Sequence, residues 1–169
     1  MGISNLNKSP MKRSSTIFLK FVLGIMALAV LAGLIYFPLT EGRAANLDLF
    51  SIYWDPAILY MFVGSIPFFT ALYQSYKLLG YIEQNKVFSL GAVKALKTIK
   101  YCGIAIAGFV VVGQIALIIT QHGKDDMAGP LALGVIITFI SIAVATGAAV
   151  FEKLLQRAVE IKSENDLTV

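Results

Sequence analysis

MAGPLALGVIITFISIAVATGAAVF, residues 127–151, contains no Asp, Glu, Lys or Arg. At ~1.5 Å of rise per residue, a helix of this length crosses a ~30 Å hydrocarbon core with residues to spare. Three further charge-free runs lie upstream, at Phe21–Thr40, Pro56–Tyr76 and Tyr101–Gly123. A soluble core can hide one such run, but not four in a chain of 169 residues. Lipid offers the backbone no hydrogen-bond partners, so each run must satisfy its own amides as a helix. The composition agrees: 57% of residues are hydrophobic and 14% are charged, against roughly 25% charged in soluble domains. The sequence therefore predicts an all-α integral membrane four-helix bundle. It is one domain over 1–169, with helices at about 15–38, 56–83, 89–120 and 127–164.

The basic residues predict the threading. Twelve of the 14 Lys and Arg residues fall on one side of the four-helix pattern. They are Lys8, Lys12, Arg13 and Lys20 before helix one, then Lys77, Lys86, Lys94, Lys97 and Lys100 between helices two and three. Lys153, Arg157 and Lys162 follow helix four. The other side holds only Arg43 and Lys124. Short basic loops stay cytoplasmic, so both termini are expected on the cytoplasmic side of the membrane, with helices two, three and four extending into the cytoplasm. The net charge of +4 follows from this bias and does not call for direct nucleic-acid binding. A cleaved signal peptide is the competing reading of helix one, but its apolar run exceeds the 7–15 residues of a signal core.

Local signals place the helix ends. Asp55-Pro56 reads as an N-cap followed by proline in the first turn. Leu49–Trp54, just before it, suits an interfacial aromatic belt better than a ligand lid. Helix two should run to Glu83, with Tyr73, Tyr76 and Tyr81 near the inner face. Asn85 suits a helix C-terminus in left-handed geometry, and Ser89 suits the next N-cap. At ~100° per residue, Ala92, Ala95, Leu96 and Ile99 share a face, with Lys94 and Lys97 pointing away and Lys100 at the border. Those lysines enforce topology, meet anionic headgroups or meet a partner. Past the membrane, Phe151, Leu154, Leu155, Ala158 and Ile161 form one face. Glu152, Lys153, Gln156, Arg157, Glu160 and Glu164 form the other. The apolar face either docks on the helix that begins at Ser89, the preferred reading, or lies on the membrane. Residues 165–169 read as a frayed end.

Within the spans, Pro67 removes a backbone hydrogen bond from helix two and marks either a static bend or a hinge. Ala29 and Gly33 form a small-xxx-small pair in helix one. Gly103, Ala107, Gly108 and Gly113 give helix three small residues, as Ser141, Ala145 and Ala149 do for helix four. Gln114 lies deep in an apolar run and needs a partner, with Thr138 or Ser141 expected at its depth. It serves either helix packing or a polar substrate path.

Chemistry-bearing patterns are few. Cys102 is the sole cysteine, so no intramolecular disulfide forms, and it reads as a small apolar filler. His122, Asp125 and Asp126 share a short outer turn but complete no metal geometry. No zinc-ligand spacing, phosphate loop or nucleophile elbow is present. The absence of ionisable residues inside the runs argues against pumps and proton relays. No enzyme and no cofactor is expected.

Three stretches carry a resemblance. They are Tyr81–Ser89 (YIEQNKVFS), Val93–Cys102 (VKALKTIKYC) and Ile161–Val169 (IKSENDLTV). Together they resemble the YoaS-like bacterial membrane proteins, a family of unknown function common in Gram-positive bacteria. The likeness runs from helix two to the C-terminus. Members of that family are often encoded beside a small helix-turn-helix transcription regulator, so the resemblance implies a membrane partner of such a regulator. The expected function is a non-enzymatic membrane sensor or anchor. Its candidate docking residues are Asn85, Lys86, Phe88, Lys94, Lys97, Glu164, Asn165 and Asp166. The alternative is a small transporter, channel or immunity protein against a membrane-active peptide, working through Pro67 and Gln114. Homo-oligomers are compatible with either.

Overall fold

The computed structural model describes the backbone of residues 10–40, 54–120 and 127–167, and side chains over 15–40, 54–120 and 127–165. Lys8, the side chains of Lys12 and Arg13, most of the 49–54 cluster, the His122 turn, the Asp166 side chain and residues 168–169 lie outside these bounds. Four helices follow in order: α1 Pro10–Thr40, α2 Pro56–Glu83, α3 Leu90–Thr120 and α4 Ala128–Leu167. All four are long and apolar enough to cross a membrane. At 31, 28, 31 and 40 residues, each exceeds the ~20 that a bilayer core requires.

The N-terminus of α2 is built as expected. Asp55 is extended, its carboxylate accepts from the Ala57 amide at 2.8 Å, and Pro56 occupies the first turn. Three helix ends differ from expectation. α1 begins at Pro10 rather than near Ser15, and proline suits a helix's first turn. α1 continues through Pro38 to Thr40; the proline forgoes the one bond its amide would make four residues back, and the Thr40 hydroxyl donates to the Tyr36 and Phe37 carbonyls. α4 continues to Leu167, so residues 165–167 are helical rather than frayed. α2 runs unbroken through Pro67.

The helices pack in sequence order, α1 on α2, α2 on α3 and α3 on α4. Among the described residues no comparable interface joins α1 to α4. The arrangement is a row, with α3 at its most crowded seam. Buried residues concentrate on α3, at Ala92, Ala95, Leu96, Ile99, Cys102, Gly103 and Ala107. Ser141, Ala145, Ala148 and Glu152 face them from α4. These side chains are mostly small, and no large side chain is fully buried. In lipid, helices gain nothing from hiding Leu from Leu; close backbone approach and polar contacts hold them together.

Glycine notches fix the register. The Phe109 ring lies 3.4 Å from where a Cβ on Gly64 would sit, and the Tyr60 ring 3.0 Å from a Cβ on Gly113. α2 and α3 thus each offer the other a ring and a glycine, and the Tyr60 hydroxyl also donates to the Phe109 carbonyl. A Cβ on Gly103 would come within 2.9 Å of the Ser141 carbonyl and 3.0 Å of the Ala145 methyl. α1 behaves otherwise. Its buried residues are Thr16, Leu34 and Pro38. Ala29 and Gly33 are exposed, and nothing lies near a Cβ on Gly33. The small-residue pair of helix one is therefore left uncovered among the described residues.

Candidate functional site

The candidate docking residues gather at the basic end of the row, where α2 turns into α3 and α4 runs past both. The turn closes in a defined way. Asn85 has φ 55°, the left-handed region, and is the one non-glycine residue with positive φ among those described. Its amide donates to the Ile82 carbonyl at 3.2 Å, and that of Lys86 reaches back to Tyr81 at 2.8 Å. This pair of bonds is the Schellman arrangement, in which a residue tolerant of left-handed geometry lets the last carbonyls find donors. Asparagine tolerates that geometry better than most residues. Ser89 then caps α3, its hydroxyl accepting from the Ala92 amide at 3.3 Å. The Tyr81 hydroxyl occupies the space a Cβ on Gly91 would need, 2.6 Å away, so the two arms of the hairpin meet directly.

Among the described residues, two ion pairs brace this end. Lys20 of α1 reaches Glu83 of α2, and Lys100 of α3 reaches Glu152 of α4, both at 2.6 Å. Each lysine also lies over a tyrosine ring, Lys20 over Tyr76 at 5.1 Å and Lys100 over Tyr101 at 4.9 Å. Glu152 corrects the sequence reading, which placed it on the outward face of the α4 extension. It is buried, while Phe151, Leu154 and Ile161 are exposed. Apolarity is a guide to the inside only where water is outside. At a membrane boundary Phe151 and Leu154 face outward without penalty, and the acid turns in toward its lysine. Leu155, Ala158 and Val159 are half-buried. A signal for this pair existed: Lys100 and Glu152 immediately flank two consecutive charge-free runs, so a hairpin sets them at one depth.

Beyond Glu152, α4 projects past the turn. Phe88, Ala158, Ile161, Lys162 and Asn165 line an open cleft of about 500 Å³ there. The structure thus brings Phe88 and Asn165 together. Asn85 and Lys86 are exposed on the adjoining turn, and Glu164 is exposed on α4. Lys94 and Lys97 are exposed on α3, away from the residues that line the cleft. Ala92, Ala95, Leu96 and Ile99 are buried on the opposite face of α3, as their spacing predicts.

The intramembrane polar residues do not form one cluster. The Gln114 amide nitrogen donates to the Leu131 carbonyl at 2.8 Å, not to Thr138 or Ser141. The Thr138 hydroxyl is taken by the Gly134 carbonyl of its own helix at 2.8 Å, as hydroxyls in helices commonly are. Ser141 is buried lower down, opposite Gly103. Gly134, which the sequence reading missed, admits the amide: a Cβ there would lie 2.1 Å from the Gln114 nitrogen. Its signal is a glycine on helix four, one turn past Pro130, at the depth of an orphan glutamine. Among the described residues no three His, Cys, Asp or Glu side chains gather as metal ligands.

Comparisons with known proteins agree with this architecture. Residues 38–169 match the family described as a protein of unknown function, DUF2975. The chain is 43% identical over 161 residues to the uncharacterized membrane protein YoaS of Bacillus subtilis strain 168, covering 94% of this chain and all of that protein. No solved structure matches. With the family match spanning α2, α3 and α4 and the likeness to YoaS reaching across α1 as well, the chain belongs to the DUF2975 family and is a membrane protein.

Proposed function

We propose that this protein is a non-enzymatic membrane anchor or sensor that holds a cytoplasmic partner at its basic end. The partner best suited to this reading is a helix-turn-helix transcription regulator, as the family resemblance implies. One observation carries the proposal: α4 extends past the α2–α3 turn and forms with Phe88 a cleft that mixes apolar walls with Lys162 and Asn165. A helix that served only to span would end near Glu152. The reading also requires both termini inside the bacterial plasma membrane, which the distribution of Lys and Arg supports.

The transporter, channel or immunity alternative relies on polar groups within the spans. Gln114 already donates to Leu131 across a helix seam, and no other described feature favours that alternative. The test is co-purification of the full chain with a helix-turn-helix regulator encoded beside it, in three forms: intact, lacking residues 163–169, and with Phe88→Ser. The anchor reading expects retention by the intact chain and at least tenfold less by the other two. Equal retention by all three would sink the docking face. A resistance or transport phenotype abolished by Gln114→Leu but indifferent to the deletion would establish the alternative.

A further inference from the structure

We infer that the row carries a belt of lysines that binds the headgroups of anionic phospholipids. The contacts set the depth of each residue. Tyr81 meets Gly91 and Phe109 meets Gly64, which places Lys77 of α2 level with Leu96 and Lys97 of α3. Gly103 meets Ala145, and Lys100 meets Glu152, which places Lys153 of α4 at that same level. Lys94 lies one turn further from the membrane core. All four helices change character here. The charge-free runs begin at Phe21 and Tyr101 and end at Tyr76 and Phe151. The level is therefore the hydrocarbon boundary, where phosphate groups sit.

The charges at this level divide into two kinds. Lys20 and Lys100 point between helices and are neutralised by Glu83 and Glu152. Lys77, Lys94, Lys97 and Lys153 are exposed and have no acidic side chain within ion-pair distance among the described residues. Tyr73, Tyr76 and Tyr101 stand exposed among them, at 63%, 52% and 56%, as aromatic side chains do where headgroups meet hydrocarbon. Four uncompensated ammonium groups at phosphate depth, with the acids turned inward, complement an anionic headgroup layer. A lysine near such a layer favours it by a factor of about five. The belt lies closer to the membrane than the Phe88–Asn165 cleft and does not depend on that cleft having a partner.

The full chain, reconstituted in nanodiscs of equal phosphatidylglycerol and phosphatidylcholine and then extracted in mild detergent, is assayed for retained lipid by native mass spectrometry. The expected result is phosphatidylglycerol enriched about fivefold or more over phosphatidylcholine. K77Q/K94Q/K97Q/K153Q should abolish the enrichment, whereas K86Q/K162Q, beyond the belt, should leave it intact. Equal retention of the two lipids by the unmodified chain overturns the inference, as does enrichment that persists in the fourfold variant. Should that variant fail to fold, the unmodified chain still decides the matter. Salt at about 1 M shortens the screening length to ~3 Å and should erase a headgroup preference made by exposed lysines; enrichment that survives it overturns the inference.

Discussion

The α3–α4 seam and the α1–α2 seam both join helices apolar enough to cross a membrane and differ in what lies between them. Between α3 and α4 stand a line of small buried residues, a glycine notch at Gly103, the Gln114–Leu131 hydrogen bond and the less exposed of the two ion pairs. Between α1 and α2, among the described residues, stand one ion pair, with Glu83 30% exposed, and the same lysine over the Tyr76 ring. No residue of α2 is buried, and most large side chains of α1 face outward. The lesson is about lipid as a solvent. Hydrophobicity puts both helices in the membrane, but shape and a few polar contacts decide which ones lock together.

That contrast can be broken from its strong side first. Gly103→Leu should cost the most, about 1–3 kcal/mol or more, because even a Cβ meets the Ser141 carbonyl; unfolding in mixed micelles would register it as a large fall in midpoint. An unchanged midpoint would mean that α3 and α4 are not in close contact. Next come the ion pairs. Glu152→Gln should lower the midpoint more than Glu83→Gln, since the acid of the α3–α4 pair is 11% exposed against 30%. The reverse order would place the stabilising bridge at α1 instead.

A smaller effect is expected inside the span. Gln114→Leu should cost about 0.6 kcal/mol, a typical interhelical hydrogen bond in a membrane protein. Gly134→Ala should reproduce that loss by displacing the same amide, and the two changes together should not add. Additive losses in such a double-mutant cycle would separate Gly134 from Gln114. Last, Gly33→Leu should alter stability by no more than about 0.5 kcal/mol, because no neighbour approaches that glycine. A large loss there would reveal a contact to another molecule.

Local chemistry was the most readable part of this chain. The Asp55 cap, the left-handed Asn85, the Ser89 cap and the buried Ala92–Ile99 face each follow from residues a few positions apart. Long-range pairings were harder to read. The partner of Gln114 depends on how α4 is rotated and how far it slides along α3, which no pattern within one helix encodes. Thr138 was a plausible acceptor by depth, yet it lies a turn or two away and is satisfied at home. Glu152 was misplaced for a different reason: a helical wheel sorts residues by water affinity, and at the level of Glu152 the outward face of α4 meets the membrane boundary rather than water. Ala29 and Gly33 permit close contact without requiring it, and nothing in the chain lies near Gly33. The docking residues stand between these cases. The sequence grouped Phe88 and Asn165 by family likeness, and the fold sets both on one cleft, whereas Lys94 and Lys97 fall to another surface.

The length of α4 has a mechanical consequence. Its residues from Lys153 to Leu167 continue the spanning helix without a break, a rigid arm about 22 Å long at ~1.5 Å per residue. Helices answer changes in bilayer thickness by tilting. A tilt of about 10° at the boundary swings the end of such an arm through roughly 4 Å, more than a hydrogen bond's reach. The Phe88 cleft has one wall on this arm and one on the α2–α3 turn, so its width changes with any tilt of α4 against α3, a motion that the close α3–α4 seam opposes.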